Sequence, residues 1–290
     1  MSGSQGETVF AVEAVRFAYA GQPLCLDGVS FDVRRGERLA LVGANGSGKS
    51  TLLHLLNGLF FPGEGRIAYL GSPLTEAVLD AAPFGPRFRQ EVGFLFQNSD
   101  AQLFCPTVED ELAFGPLQMG WTQAEVFRRI EDTLALLEIS RLRGRFPAGL
   151  SAGEKKRVAL ASLLVLAPSV LLLDEPTAGL DPRSQSLLLE ILEALHTRGL
   201  TLVTATHDLT LLPHLADRVL VLSEEHRLVA DGEPEPVLAD TEMLLAVNLI
   251  HAHSHRHGRL VHTHPHQHVV AHEHVHGHHH EHEDQAEPKK

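Results

Sequence analysis

Apolar runs of strand length alternate along this chain with longer stretches of helical period. Thr8 to Tyr19 is rich in Val and Phe and reads as a strand, as does Val29 to Val33; Arg35-Gly36-Glu37 then makes a tight turn. Leu39-Ala40-Leu41-Val42 is a continuous apolar run, followed by a glycine-rich segment and a helix-like run from Thr51 to Leu59. After a turn at Phe61 to Gly65, Arg66 to Leu70 is a short strand, Pro83 to Pro86 a loop, and Val92 to Phe96 an apolar run ending at Gln97. Thr107 caps a short helix, and Thr122-Gln123-Ala124-Glu125 has capping-box spacing and opens a longer one. Val126, Ile130, Leu134 and Leu137 share one face of that helix and are assigned to core. Gly153 to Leu166 reads as a helix, and Val170 to Leu173 as a strand buried on both faces. Pro182 to Arg198 (helix), Leu200 to Ala205 (strand), Asp208 to Ala216 (helix) and Arg218 to Leu222 (strand) complete the series. Such alternation predicts an α/β fold with a mostly parallel sheet, whose ligand sits at the carboxyl ends of the strands.

The pattern stops near Val247. Fifteen of the 20 histidines lie between His251 and His282, where almost no apolar periodicity remains. This predicts a folded domain over 1–246, with a helical subdomain at about 98–166, and a disordered His-rich tail over 247–290. A net charge of −13 argues against a general nucleic-acid binder, which needs a basic face. Cys25 and Cys105 lack ligand spacing and suit a reducing cytosol. No run approaches the ~18 apolar residues of a spanning helix, and Met1 to Glu7 lacks a signal-peptide apolar region. A soluble chain follows, linked to any membrane only through a partner.

The segment Gly43-Ala44-Asn45-Gly46-Ser47-Gly48-Lys49-Ser50-Thr51 is G-x-x-x-x-G-K-S between a strand and a helix. Its glycines let successive N–H groups turn inward on phosphate oxygens, and the helix adds the positive end of its dipole. Lys49 suits the β- and γ-phosphates, and the Ser50 hydroxyl one Mg²⁺ position. Leu172-Leu173-Asp174-Glu175-Pro176 supplies a strand-end carboxylate for Mg²⁺ and a second to polarise water. Leu150-Ser151-Ala152-Gly153-Glu154, at a helix start, suits a further phosphate and suggests service to a nucleotide held by another subunit. His207 directly follows a strand, although a lone histidine is more often structural.

Residues 8 to about 245 resemble the ATP-binding cassette ATPases, P-loop NTPases with an N-terminal antiparallel subdomain and an inserted helical subdomain. Gly43 to Thr51 resembles the Walker A loop, Leu171 to Glu175 the Walker B strand, and Gln97 the Q-loop glutamine. Leu150 to Glu154 resembles the signature motif, Ala178-Gly179-Leu180-Asp181 the D-loop, and His207 the switch histidine. Tyr19 is similar to the aromatic that stacks on adenine, with Phe17 competing for that role and a core role open for Tyr19. The resemblance implies a head-to-tail ATPase dimer, each ATP held by one chain's phosphate loop and the other chain's Ser151 and Gly153. It implies that Ser50, Gln97 and Asp174 serve Mg²⁺, that Glu175 is the general base, and that His207 contacts the γ-phosphate. The signature departs from the commonest form, Ser-Gly-Gly-Gln: Ala152 adds a methyl and Glu154 a charge, which leaves the hydrolysis rate open.

The segment Val92 to Phe104, with Thr107 to Pro116, resembles ATPases of energy-coupling-factor importers, the group taking up cobalt, nickel and some vitamins. That implies docking at the cytoplasmic face of the membrane, beneath a transmembrane coupling protein that works with a substrate-binding membrane component. The docking groove is expected around Gln97 to Phe114, with Leu103, Phe104 and Phe114 assignable either to it or to core. Substrate identity rests on the tail: His251, His253, His255 and His257, then His262, His264, His266 and His268, recur at every second position. His272, His274, His276, His278, His279, His280 and His282 follow. Alternate side chains of an extended chain share one side and can chelate Ni²⁺, Co²⁺ or Zn²⁺. A purification tag fits poorly, since no six-His run occurs. The expected function is ATP hydrolysis for nickel or cobalt import. The alternatives are a vitamin importer, a soluble cassette ATPase working on nucleic acid or ribosomes, and a metal-storage module; the last two are disfavoured by the single cassette and the intact Glu175.

Overall fold

The computed structural model describes residues 6–257 and 260–266. The chain opens with β1 (Thr8–Ala18), β2 (Leu24–Arg34), β3 (Arg38–Gly43), α1 (Lys49–Leu56), β4 (Glu64–Tyr69) and β5 (Ser72–Pro73). It continues with α2 (Glu76–Asp80), α3 (Phe84–Glu91), β6 (Val92–Leu95), α4 (Val108–Gln118), α5 (Gln123–Leu136) and α6 (Ala152–Leu164). Then come β7 (Val170–Asp174), α7 (Pro182–Thr197), β8 (Thr201–Thr206), α8 (Leu212–Leu215), β9 (Arg218–Leu222) and β10 (Leu228–Gly232). Last are α9 (Pro234–Ala239), α10 (Thr241–Ala246), β11 (His251–His257) and β12 (Leu260–His266).

Two sheets organise these elements. One is antiparallel, in the order β2-β1-β4-β5; the other has the order β10-β9-β3-β8-β7-β6. In the second, every pair from β9 to β6 is parallel, and only β10 joins antiparallel, on the β9 edge. Strand alternation explains how this sheet serves a core on each face. Leu172 of β7 packs with Phe10, Leu53 and Phe88 beneath the antiparallel sheet. Its neighbours Leu171 and Leu173 face Leu112, Ile130 and Leu160 of the helical subdomain. Val42 and Val221 turn toward Leu212, Leu244 and Ile250 in a third cluster. This explains why β7 is apolar from Val170 to Leu173: both of its faces are covered.

Local chemistry sets the helix starts. Thr122 and Ser151 each form a capping box, with Glu125 and Glu154 respectively. Asp181 caps α7 ahead of Pro182, whose missing N–H is harmless in a first turn. The segment Pro83 to Pro86, expected as loop, instead begins α3, because Pro86 lies within the first turn. The single helix expected over Asp208 to Ala216 is split into a 3-10 turn, Leu209–Leu211, and α8, which restarts with Pro213. Val247 and Ile250 stay buried, beyond the composition change. Within the tail, expected to lack structure, the described residues 251–257 and 260–266 pair antiparallel as β11 and β12, with His251 opposite His266, His253 opposite His264 and His255 opposite His262. Alternation at period two suits a strand as well as an extended coil. The expectations for His268, His272, His274, His276, His278, His279, His280 and His282 lie outside the described residues.

Ile130 of α5 is 2% exposed inside the helical subdomain. Ile130→Ala is expected to cost about 2–5 kcal/mol, from lost burial plus the cavity left behind. Denaturant unfolding of the full chain measures it, and a loss below about 1 kcal/mol would place Ile130 outside the core.

Candidate functional site

The site forms where strands of the parallel sheet end. Val42 of β3 lies opposite Thr206 of β8, and Ala205 lies opposite Asp174 of β7, so the residues that follow these strands emerge along one rim. From β3 the chain enters the phosphate loop. Gly43 passes so close to its surroundings that an added Cβ would meet the Leu222 carbonyl at 2.6 Å. Gly48 sits at φ +106°, directly before α1, which favours glycine. Lys49 is buried, and its Nζ donates to the carbonyls of Gly43 (2.8 Å) and Ala44 (3.1 Å), holding the ammonium against the loop. Burial pushes its pKa down, opposed by the charges of Glu175 and Asp174.

Ser50 Oγ donates to Asp174 Oδ1 at 2.9 Å, bringing a hydroxyl and a carboxylate together as the oxygen pair a hard cation prefers. Burial pushes the Asp174 pKa up, partly offset by the Ser50 hydrogen bond. Ser47 Oγ is buried without a hydrogen-bond partner among the described residues. An orphaned hydroxyl inside a glycine-rich loop fits a phosphate oxygen. The residues present therefore fit a Mg²⁺–nucleotide pair.

Glu175 holds φ at +44°, an unusual backbone for a non-glycine residue, and its N–H donates to the Ala205 carbonyl at 2.9 Å. Its side chain is buried; Oε1 lies 2.8 Å from His207 Nδ1, and Oε2 accepts from Thr206 Oγ1 at 3.4 Å. The carboxylate is thus aimed by the end of β8. This Glu175–His207 pair has no signature in the linear sequence, since it depends on the parallel register of β7 and β8. Gln97 is exposed beyond β6, and its carbonyl accepts from Lys156 Nζ at 2.8 Å. Tyr19 is half-buried, edge-on to Phe17 and Phe60, with its hydroxyl 3.2 Å from Thr51 Oγ1. The hydroxyl contact sets the ring beside the phosphate-loop helix, while the buried Phe17 belongs to the core.

Other expected residues lie apart from this rim. Ser151 is the exposed N-cap of α6, and no hydrogen bond among the described residues joins it or Gly153 to the phosphate loop. A Cβ on Gly153 would meet Ser184 Oγ at 2.5 Å, so packing against α7 explains this glycine. Glu154, whose charge left the hydrolysis rate open, accepts the Ser151 N–H and pairs with Arg141 at 2.6 Å. Those contacts hold its carboxyl below the usual range. Asp181 accepts from the Ser184 N–H (3.1 Å) and hydroxyl (2.6 Å), which employs it as the α7 cap.

Beside Gln97 a groove of about 510 Å³ opens, lined among others by Leu59, Phe88, Phe96, Phe104 and Phe114. Phe104 and Phe114 are 67% and 45% exposed and meet edge-on at 5.0 Å, which removes them from the core. Leu103, by contrast, packs against the helical subdomain. Glu111, missed by sequence reasoning, is buried on α4 and accepts the N–H groups of Phe104 (2.9 Å) and Cys105 (2.8 Å), which fixes the groove's lip. Its place at helical spacing between Val108 and Leu112, on the apolar face of α4, was the signal for it.

Fold and rim together define a P-loop nucleotide hydrolase. The sequence profile described as ABC transporter matches residues 26–178, and the chain belongs to that family of ATP-hydrolysing cassettes. It is 49% identical to the nickel import ATP-binding protein NikO of Rhodobacter capsulatus, over 83% of this chain and 95% of that protein. It is 43% identical to the energy-coupling factor transporter ATP-binding protein EcfA of Methanoculleus marisnigri, over 80% and 81%. The solved structure of CbiO1 from Clostridium perfringens, part of the ABC transporter complex CbiONQ, superposes with a TM-score of 0.72. That match is 36% identical and covers 84% of this chain and 95% of the other. The protein is the ATP-binding subunit of an ABC transporter. Among the described residues no helix is long and apolar enough to cross a membrane.

Lys49→Ala removes the ammonium folded onto the phosphate loop and is expected to weaken ATP binding at least about tenfold. Equilibrium titration with a fluorescent ATP analogue checks it; unchanged affinity would mean the loop is misassigned.

Proposed function

We propose that this chain powers a Ni²⁺ or Co²⁺ importer of the energy-coupling type. It would work as a head-to-tail dimer at the cytoplasmic face of the membrane, beneath a transmembrane coupling protein and its substrate-binding component. The observation that carries the reading is the groove beside Gln97, whose exposed Phe104–Phe114 pair offers an apolar seat next to the nucleotide rim. A short cytosolic helix of the membrane partner fits such a seat. The likeness to a nickel import ATPase and to part of a CbiONQ complex supports the metal, as does the alternate-histidine tail.

In this reading the amides of residues 43–48 and Lys49 hold the β- and γ-phosphates of ATP, with Tyr19 beside the base. Ser50, Asp174 and Gln97 would hold Mg²⁺, which supplies charge neutralisation on the phosphate oxygens when bound. Glu175 takes the proton of the attacking water. His207 aims that carboxylate through Nδ1 and contacts the γ-phosphate in the same reading. Ser151 and Gly153 complete the partner chain's site, and Asp181 lies near the same seam. Glu154, bound to Ser151 and Arg141, does not repel the nucleotide.

Glu175→Gln is expected to keep ATP binding and to slow hydrolysis by about two to four orders of magnitude, since it removes the base alone. Steady-state phosphate release measures it, and an unaltered rate would remove Glu175 from that role. Deleting 251–290 is expected to leave hydrolysis nearly intact and to abolish Ni²⁺ or Co²⁺ binding by calorimetry. The intact tail's affinity is expected to fall between roughly pH 7 and pH 5, because free imidazole protonates near about 6.5 and only its neutral form binds metal. Coexpression with the membrane components and assay of Ni²⁺, Co²⁺ and vitamin uptake tests the whole reading; vitamin uptake without metal uptake would replace it.

A further inference from the structure

Lys156 is a buried cation that the mechanism above does not use. It lies in the second turn of α6, 3% exposed, and donates from Nζ to the carbonyls of Phe96 (3.2 Å) and Gln97 (2.8 Å). Both carbonyls follow the end of β6 at Leu95 and so lie beyond the sheet ladder. Two neighbours act on the same stretch. Gln102 accepts the Phe96 N–H at 3.3 Å and donates to the Ala159 carbonyl at 3.2 Å, one helical turn beyond Lys156. Lys155 pairs with Asp100 at 2.6 Å. The segment from Phe96 to Gln102 is therefore fastened at three points to the helix that begins at Ser151.

We infer that Lys156 is a positioning residue that locks the Gln97 loop to the signature helix, so that Gln97, Ser151 and Gly153 move as one body. The physical ground is the cost of separating them. Swinging Gln97 away from α6 would leave the buried Lys156 ammonium without the two carbonyls that accept its hydrogen bonds, and an unpaired buried charge is strongly unfavourable. The pivot then falls at Leu95–Phe96, where the last residue of β6 leaves the sheet. Lys156 also links the groove to the nucleotide seam, since Phe96 lines the groove and its carbonyl is bound to the same amine. This inference rests on the reading that Gln97 and Ser151 face nucleotide.

A double-mutant cycle on the full chain separates the two. Gln97→Ala, Lys156→Met and their combination are compared by kcat, KM, ATP binding and ATP-driven dimerisation. Gln97→Ala alone is expected to lower kcat at least about tenfold; no effect would overturn the reading of Gln97 and this inference with it. Lys156→Met is expected to lower kcat by a similar factor with KM and ATP affinity held within about twofold, and to weaken dimerisation. The combined variant is expected to be no slower than Gln97→Ala, because Lys156 acts through that loop. Lys156→Arg, which keeps donors and charge, is expected to restore most of the rate. Additive losses, a normal rate in Lys156→Met, or failure of the arginine variant to rescue would each overturn the inference while leaving the role of Gln97 standing. If the methionine variant does not fold, Lys156→Gln carries the same cycle.

Discussion

The parallel register of β3, β8 and β7 is the constraint on which the site depends. These strands pair so that Val42 meets Thr206 and Asp174 meets Ala205, and all three chains leave the sheet at one level. A shift of one residue between any two would turn the next side chain to the opposite face. Lys49, Ser50, Asp174, Glu175 and His207 come together because of that register, although Lys49 and His207 are far apart in sequence. The same register lets the Glu175 N–H reach the Ala205 carbonyl and hold a backbone that an unsupported glutamate would avoid.

Charge inside this rim is balanced tightly. Asp174 and Glu175 are adjacent, buried acids, and the charges of both act on the buried Lys49. Burial works against the charged forms of Asp174 and Lys49, and the adjacent Glu175 adds repulsion at Asp174; the attraction of Lys49 and the hydrogen bond from Ser50 oppose both. Such a site has strong reason to take up a cation bound to a polyanion, since that adds charge of both signs where the fold has already arranged partners for them.

The helical subdomain carries Ser151, which no hydrogen bond among the described residues joins to the chain's own phosphate loop. Capping boxes begin α5 and α6, and a dry core of Leu112, Ile130 and Leu160 joins them to one face of the sheet. Lys156 and Gln102 bind the strand-exit loop to α6, while Glu111 fixes the groove lip to α4. Polar groups, rather than apolar ones, make these ties because loop backbone must find partners once it is removed from water. The extended apolar face that results, at Phe104 and Phe114, is left uncovered.

Much of this was determined by sequence alone, wherever the chemistry is local. The G-x-x-x-x-G-K-S loop, the apolar strand before Asp174-Glu175, and the caps at Thr107 and Thr122 all depend on residues a few positions apart, and the structure places them as their spacing requires. Local reading erred at Pro83 to Pro86, read as loop where α3 begins. Tertiary structure alone decided that His207 meets Glu175, that Tyr19 is tied to Thr51, that Glu154 is neutralised by Arg141, and that Phe104 is exposed while Leu103 is not. Each of those depends on which strands pair and which faces they cover, and such long-range geometry is set by the whole fold rather than by any stretch of it.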